Sequence, residues 1–367
     1  MPGRPSEPRK TTVKAKRSAL VSIFSYALLA AFAARPLPCA AGIIRQTTVQ
    51  SASQKARQDA LQGALFDASY SRDPAKVLAA IQAGADVNRV FGPNGASYGL
   101  PLADAVFRGL PVVRMMVEHG ARVNGFDRHA ARPSSILAAC EAGFADIVRY
   151  LLHHGADIWQ RDEDGNTAML SAAPSNGAGV IVPIIYSCGG SVHDRNVYGE
   201  TPLIRAAGNT SANCVPFLLA HGASLRDRDI NGRTPLLTAC YYASAATLRS
   251  LLAAGASVRD RDKNGDNALS VAVQTRQEEG PEMQVLQLLI RHGCRVNAVN
   301  KGDRSVLDEA FAPFGEPRKP AVLAYLRRHG AKYWMFPEPD PTRQTLSRAD
   351  KMRKRRGNHW WREERGP

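Results

Sequence analysis

Side chains able to bind cations, anions or bases recur in this sequence at fixed offsets, and each set implies a different chemistry. Asp260, Asp262 and Asn264 alternate ahead of Gly265, as they would at the start of a calcium loop, and Asp227, Asp229 and Asn231 repeat the pattern ahead of Gly232. Such a loop is closed by a bidentate glutamate at its twelfth position. Here that position holds Val271 or Thr238, so both runs read as tight turns and no metal site is expected. Histidines 119, 154, 221, 292 and 329 each stand directly before a glycine. Their shared place suggests a structural job at a helix end, where imidazolium also suits the dipole. A row of arginines, Arg161, Arg195, Arg228 and Arg261, lies six residues beyond four successive glycines. Stacked, these could meet an acidic partner. The alternative is a solvated ladder neutralised by Asp194, Asp227 and Asp260, whose exposed pairs contribute little. Trp159 and Trp334, each four residues past a glycine, read equally as packing plugs or as binding anchors.

Two common signatures of catalysis are missing. The sequence holds no Gly-rich phosphate loop and no HExxH. Its cysteines 39, 140, 188, 214, 240 and 294 form no CxxC pair and no zinc spacing with histidine. Cys140 and Cys240 sit among small and apolar residues, as buried free thiols do. These observations argue against an enzyme, and no cofactor or small-molecule substrate is expected.

The elements that must position these side chains are repeats. Glycines 84, 120, 155, 189, 222, 255, 293 and 330 are spaced by 36, 35, 34, 33, 33, 38 and 37 residues. Ahead of them run amphipathic helices, with Val148, Leu151 and Leu152 recurring as Val215, Leu218 and Leu219 and as Leu248, Leu251 and Leu252. That i, i+3, i+4 spacing makes one apolar stripe. The glycine ends the helix in a left-handed cap. A turn follows, DEDGN from Asp162 or DINGR from Asp229, in which Asn-Gly or Asp-Gly supplies positive φ. Then Thr201-Pro202-Leu203 or Thr234-Pro235-Leu236 starts a second helix, with Thr as cap and Pro at the first position.

These residues resemble the ankyrin repeat, from the finger phrase Asp229–Leu236 to the helix phrase Glu141–Val148. The resemblance covers about 59–333. It implies an all-α repeat solenoid of stacked helix pairs with β-hairpin or turn fingers, binding a protein partner through its concave face and hairpin tips. The consensus histidine is replaced by Leu170, Ile204 and Leu237, so the hydrogen bonds it would make between repeats are not carried over. Ser134-Ser135-Ile136 and Ser305-Val306-Leu307 stand in for Thr-Pro-Leu in the outer repeats. Gln58, Asp59 and Gln62 at the front, and Arg327 and Arg328 at the back, suit the polar ends of an array.

The net charge of +15 is concentrated at the ends. Residues 1–45 hold eight Lys/Arg against Glu7 alone, and residues 334–367 hold nine against five acids. The first segment, with a basic stretch ahead of the uncharged run 18–34, reads as a mitochondrial targeting segment. A secretory signal or an anchor formed by 18–34 is the alternative, although the run is short for a stable membrane span. Residues 46–58 read as a linker to the array. The C-terminal tail carries Lys351, Arg353, Lys354, Arg355 and Arg356 followed by Trp360 and Trp361. Basic groups attract phosphate and indoles stack on bases, which makes RNA the alternative partner, within an organellar ribonucleoprotein. The same basic cluster resembles a nuclear import signal, and a plain solvated tail is the remaining reading.

Overall fold

The helices begin where the sequence offers caps. In the computed structural model, which describes residues 38–89, 101–125, 134–209, 213–274, 281–310 and 320–334, Thr201 and Thr234 accept from the main-chain N–H groups of Ile204 and Leu237. Asn267 does the same for Ser270 at 2.9 Å. Ser305 and Asp308 cap reciprocally: the Asp308 carboxylate accepts from the Ser305 N–H at 2.8 Å, while the Ser305 hydroxyl accepts from the Asp308 N–H at 3.3 Å. This is the capping-box logic that lets Ser-Val-Leu replace Thr-Pro-Leu.

Helix ends are fixed by the repeated glycines. Gly155, Gly222 and Gly255 have φ of 80, 89 and 89°, a region costly for other residues. At each, the following alanine N–H reaches back to a leucine carbonyl (Ala156 to Leu151, Ala223 to Leu218, Ala256 to Leu251, at 2.9 to 3.0 Å). The glycine N–H meets the next carbonyl along. Both bonds define a Schellman ending.

Eight helix pairs result among the described residues. They are α1 (Pro38–Tyr70) with α2 (Pro74–Gln82), α3 (Pro101–Ala105) with α4 (Leu110–Glu118), α5 (Ser135–Ala142) with α6 (Ala145–His153), and α7 (Ala168–Ala172) with α8 (Ala178–Ser187). They continue with α9 (Pro202–Ala207) and α10 (Val215–Ala220), α11 (Pro235–Tyr241) and α12 (Ala245–Ala253), α13 (Ala268–Val273) and α14 (Pro281–Arg291), and α15 (Val306–Ala310) and α16 (Pro320–Arg328). From α3 onward each inner helix packs on the inner helix of the next repeat, as α11 does on α13. Outer helices stack in a second layer, as α12 does on α14. The architecture is the expected all-α solenoid.

The core lies between the two layers. Leu151, Ile185, Leu218 and Leu251 are fully buried at equivalent points of successive outer helices, as are Val148, Val182, Val215 and Leu248. Leu152, Leu219 and Leu252 sit half-buried at the edge of the stripe. Leu170, Ile204 and Leu237, which occupy the consensus-histidine position, are buried. Apolar packing thus replaces a polar inter-repeat bond there.

Helix α1 runs through 46–58, the stretch read from sequence as a linker, and on into the first repeat. Gln62, expected as a solvent-facing polar end, is buried. Its amide donates to the carbonyls of Asp86 and Arg89, and Asp59 pairs with Arg89 at 2.6 Å. Residues 1–37 and 335–367, which hold most of the targeting segment and almost all of the basic tail, lie outside the described residues. No helix among the described residues is long and apolar enough to cross a membrane.

Candidate functional site

Each finger is a turn closed on itself. Its leading acid or amide accepts from the main-chain N–H four residues ahead, as Asp162 does from Asn166 at 2.8 Å, and in the four later fingers also from the N–H two ahead. Asp229 Oδ1 takes Asn231 and Arg233 at 2.8 Å each, and Asp262 Oδ1 takes Asn264 and Asp266 at 2.8 and 3.0 Å. Asn196 and Asn300 accept the same pairs of bonds. These oxygens are occupied by the turn, which accounts physically for the calcium-like spacing. Among the described residues no cluster of His, Cys, Asp or Glu could hold a metal. The fingers are turns more than hairpins, and Arg261 with Asn267 forms the one isolated β-bridge there.

The arginine row is tied into the fold. Arg161, Arg195, Arg228 and Arg261 each donate from Nη1 to the carbonyl of their own turn glycine, at 2.6 to 2.8 Å. The same nitrogen reaches a carbonyl of the next finger: Arg195, Arg228, Arg261 and Val299 in turn, at 2.8 to 3.2 Å. Asp227 and Asp260 pair with Arg195 and Arg228 at 2.6 and 3.6 Å. Fingers are also joined tip to tip through main chain. Val197, Ile230, Lys263 and Lys301 donate to the carbonyls of Asp164, Tyr198, Asn231 and Asn264 at 2.8 to 2.9 Å.

The histidines cap helices as their shared position implied. Nδ1 of His119, His154, His221, His292 and His329 lies 2.7 to 2.9 Å from the carbonyl four residues back. A carbonyl only accepts, so Nδ1 carries the proton. The buried thiols of Cys140, Cys214, Cys240 and Cys294 are free. Burial pushes Cys214 up to about 12 and raises the others as well, which makes them poor nucleophiles.

Trp159 stands where Asn88, Asn124 and Asn297 stand in outer repeats. Those amides bridge repeats: Asn124, for example, donates to the Gly155 carbonyl at 2.8 Å and accepts from the Asp157 N–H at 2.7 Å. Trp159 instead lies beside Gly189 of the next repeat and remains 51% exposed. Trp334 is more exposed still, with its main-chain N–H on Asp308. The tail residues Lys351, Arg353, Lys354, Arg355, Arg356, Trp360 and Trp361 lie outside the described residues.

What the sequence reading did not single out is an apolar group on the fingertips. Val197 is 60% exposed, Ile230 49% and Tyr198 44%. At the C-terminal end of inner helix α11, Tyr242 is 45% exposed and meets Tyr241 edge-on, and the Arg233 guanidinium lies 4.2 Å over the Tyr241 ring. A signal was present: Val197 and Ile230 share the tip position filled by Glu163, Lys263 and Lys301 in other fingers. An apolar residue at a turn tip leaves much of its side chain in water, which the fold alone does not require.

Comparison with known proteins places this geometry. The family described as Ankyrin repeats (3 copies) matches residues 169–262, Ankyrin repeats (many copies) matches 136–179, and Ankyrin repeat matches 264–301. The human ASB11 ankyrin repeat domain superposes with a TM-score of 0.53 at 26% identity, covering 63% of this chain and 98% of that one. The mouse protein described as "Protein fem-1 homolog A-like" is 36% identical over 90 residues, which span 24% of this chain and 13% of that relative. The repeats of this chain are ankyrin repeats, and the array is a protein-interaction scaffold.

Proposed function

We propose that the chain is a non-catalytic scaffold that holds a protein partner on the face formed by its fingers and inner helices, the concave side of such an array. The carrying observation is the exposed group Val197, Tyr198 and Ile230 on tips already fixed by main-chain bonds. Tyrosine, arginine and a fixed backbone are what concentrated binding energy uses, since little is lost in ordering them. The arginine row serves this face mainly by holding the fingers in register. Photo-cross-linking tests the reading. A benzophenone amino acid replacing Ile230 in the full chain should capture a protein in cells, whereas the same group replacing Val180, equally exposed on outer helix α8, should not. Cross-links from position 180 alone, or from neither, would refute it.

The targeting segment and the basic tail support a further proposal, that this scaffold works in mitochondria and that its tail touches RNA. That proposal rests on their charge and aromatic content.

A further inference from the structure

Charge changes sign along the fingertips. The finger 159–166 holds Arg161 against Asp162, Glu163 and Asp164, and 193–200 holds Arg195 against Asp194 and Glu200. The next finger, 226–233, holds three arginines against two acids, and 259–266 is balanced. In 259–266, however, Asp262 and Asp266 are buried, while Arg259 and Lys263 are exposed. In 297–304, Lys301 and Arg304 outweigh Asp303. The outermost tip residues in order are therefore Glu163, Val197, Ile230, Lys263 and Lys301, all exposed. The arginine row does not cancel this order, because Asp227 and Asp260 neutralise Arg195 and Arg228 within the face. The acidic end is also felt by its neighbour. The Tyr198 hydroxyl donates to Asp164 at 2.9 Å, and that carboxylate raises its pKa.

Resting on the scaffold reading above, we infer that the finger row accepts an extended segment of a partner protein, laid across the tips with its basic end over Glu163 and its acidic end over Lys263 and Lys301. Between these ends, two apolar side chains would rest on Val197 and Ile230. Stacked helices sit about 8–10 Å apart, and an extended polyproline-II segment turns once every three residues, about 9 Å, showing every third side chain to the same side. One finger therefore meets roughly every third residue of the segment. The matching pattern is basic, apolar, apolar, acidic, acidic, with two residues between successive members. Opposite charges set polarity and register, and the apolar pair supplies the desolvated centre.

The test is selection of random peptides displayed on phage against the immobilised full chain, followed by titration of the synthetic consensus. Selected peptides should carry two apolar residues three apart, flanked by base on one side and acid on the other. Against the charge-exchanged chain (Glu163→Lys, Lys263→Glu, Lys301→Glu) affinity should drop at least tenfold, and a peptide with its own charges exchanged should regain it. The neutralised chain (Glu163→Gln, Lys263→Gln, Lys301→Gln) should show an intermediate loss and serves if the first variant does not fold. Selected peptides without charge polarity, or equal binding by all chains, overturn the inference. If no peptide binds while position 230 still cross-links to a protein, the partner presents a folded surface. In that case this inference falls and the scaffold reading stands. Cross-linking of position 230 only to a second copy of the chain would overturn it too. Absence of both selection and cross-linking removes both.

Discussion

Arg228 Nη1 lies 2.8 Å from the main-chain oxygen of Arg261, one finger further on. The same nitrogen also serves the Gly232 carbonyl of its own turn at 2.6 Å. One planar, permanently charged group thus holds two turns in register. Arg228→Met should lower stability by about 1–2 kcal/mol, because two carbonyls lose a charged donor. Asp260→Asn, which weakens the ion pair of Arg228 with the half-buried Asp260, should cost less than about 1 kcal/mol. Urea midpoints decide between them. Equal losses would mean that the ion pair, and not the carbonyl staple, holds the fingers.

Leu218 and Leu251 are fully buried in adjacent outer helices that pack on each other. Truncating either to Ala should cost about 2–5 kcal/mol. The double variant should depart from additivity, since the two sites share a repeat interface. Melting curves that leave both single variants at the parent midpoint would contradict the repeat register.

Gly177 approaches Gly143 so closely that a Cβ on Gly177 would lie 2.4 Å from the Gly143 carbonyl oxygen. Backbone on both sides cannot move as a flexible side chain would. Gly177→Ala should therefore destabilise by about 1–3 kcal/mol. Gly222→Ala meets nothing within 4 Å but must hold φ near 89°. Its loss would report left-handed strain alone. A Gly177→Ala chain as stable as the parent, by denaturant titration, would show that the two loops can separate freely.

The stacked helices were legible because their signals are local and repeat. The buried leucine of each outer helix and the positive-φ glycine after it need only their own neighbours to be recognised. The site was legible in part. The Arg161, Arg195, Arg228 and Arg261 row was visible as a row, but its partners are main-chain carbonyls about 33 residues away, which carry no side-chain signature. Val197 and Ile230 were hidden for a different reason. A single apolar residue in a turn is ordinary, and it becomes informative only once the tip is known to be exposed and stacked beside another.

The tail makes a separable claim. If residues 346–367 bind RNA, replacing Lys351, Arg353, Lys354, Arg355 and Arg356 by Ala should lower affinity for any RNA and flatten its salt dependence. Replacing Trp360 and Trp361 should cost about 1–3 kcal/mol per stacked base while leaving the salt slope nearly intact. Filter binding at several salt concentrations measures both. Full-length protein without salt-sensitive RNA binding would leave only the protein scaffold. For the targeting segment, residues 1–58 fused to a fluorescent protein should enter mitochondria, and Glu at positions 9, 10, 14, 16 and 17 should stop entry. Secretion of the unaltered fusion would assign a signal peptide instead.

Asp262 carries a carboxylate where its counterparts Asn196 and Asn300 carry an amide, yet all three accept the same two turn N–H bonds. Burial is the main cause raising its pKa, and the Asp266 carboxylate adds to it, while the turn N–H bonds from Asp266 and Asn264 and then the Arg233 charge oppose it. Glu309 is likewise raised by burial, with Asp266 adding again. A carboxyl with a raised folded pKa binds its proton more tightly in the folded chain than in the unfolded one. It therefore favours folding below the ordinary carboxylate range of about 4, and that contribution is lost as pH rises through the folded pKa. Asp262→Asn keeps the acceptor oxygen and removes the buried charge. The variant should match or exceed the parent's stability at pH 7, and the difference should shrink or reverse near pH 4. Denaturant midpoints at the two pH values test this. A variant weaker than the parent at pH 7 by more than about 1 kcal/mol, a pair-like energy, would show that the turn N–H bonds and Arg233 together outweigh the cost of burying the carboxylate.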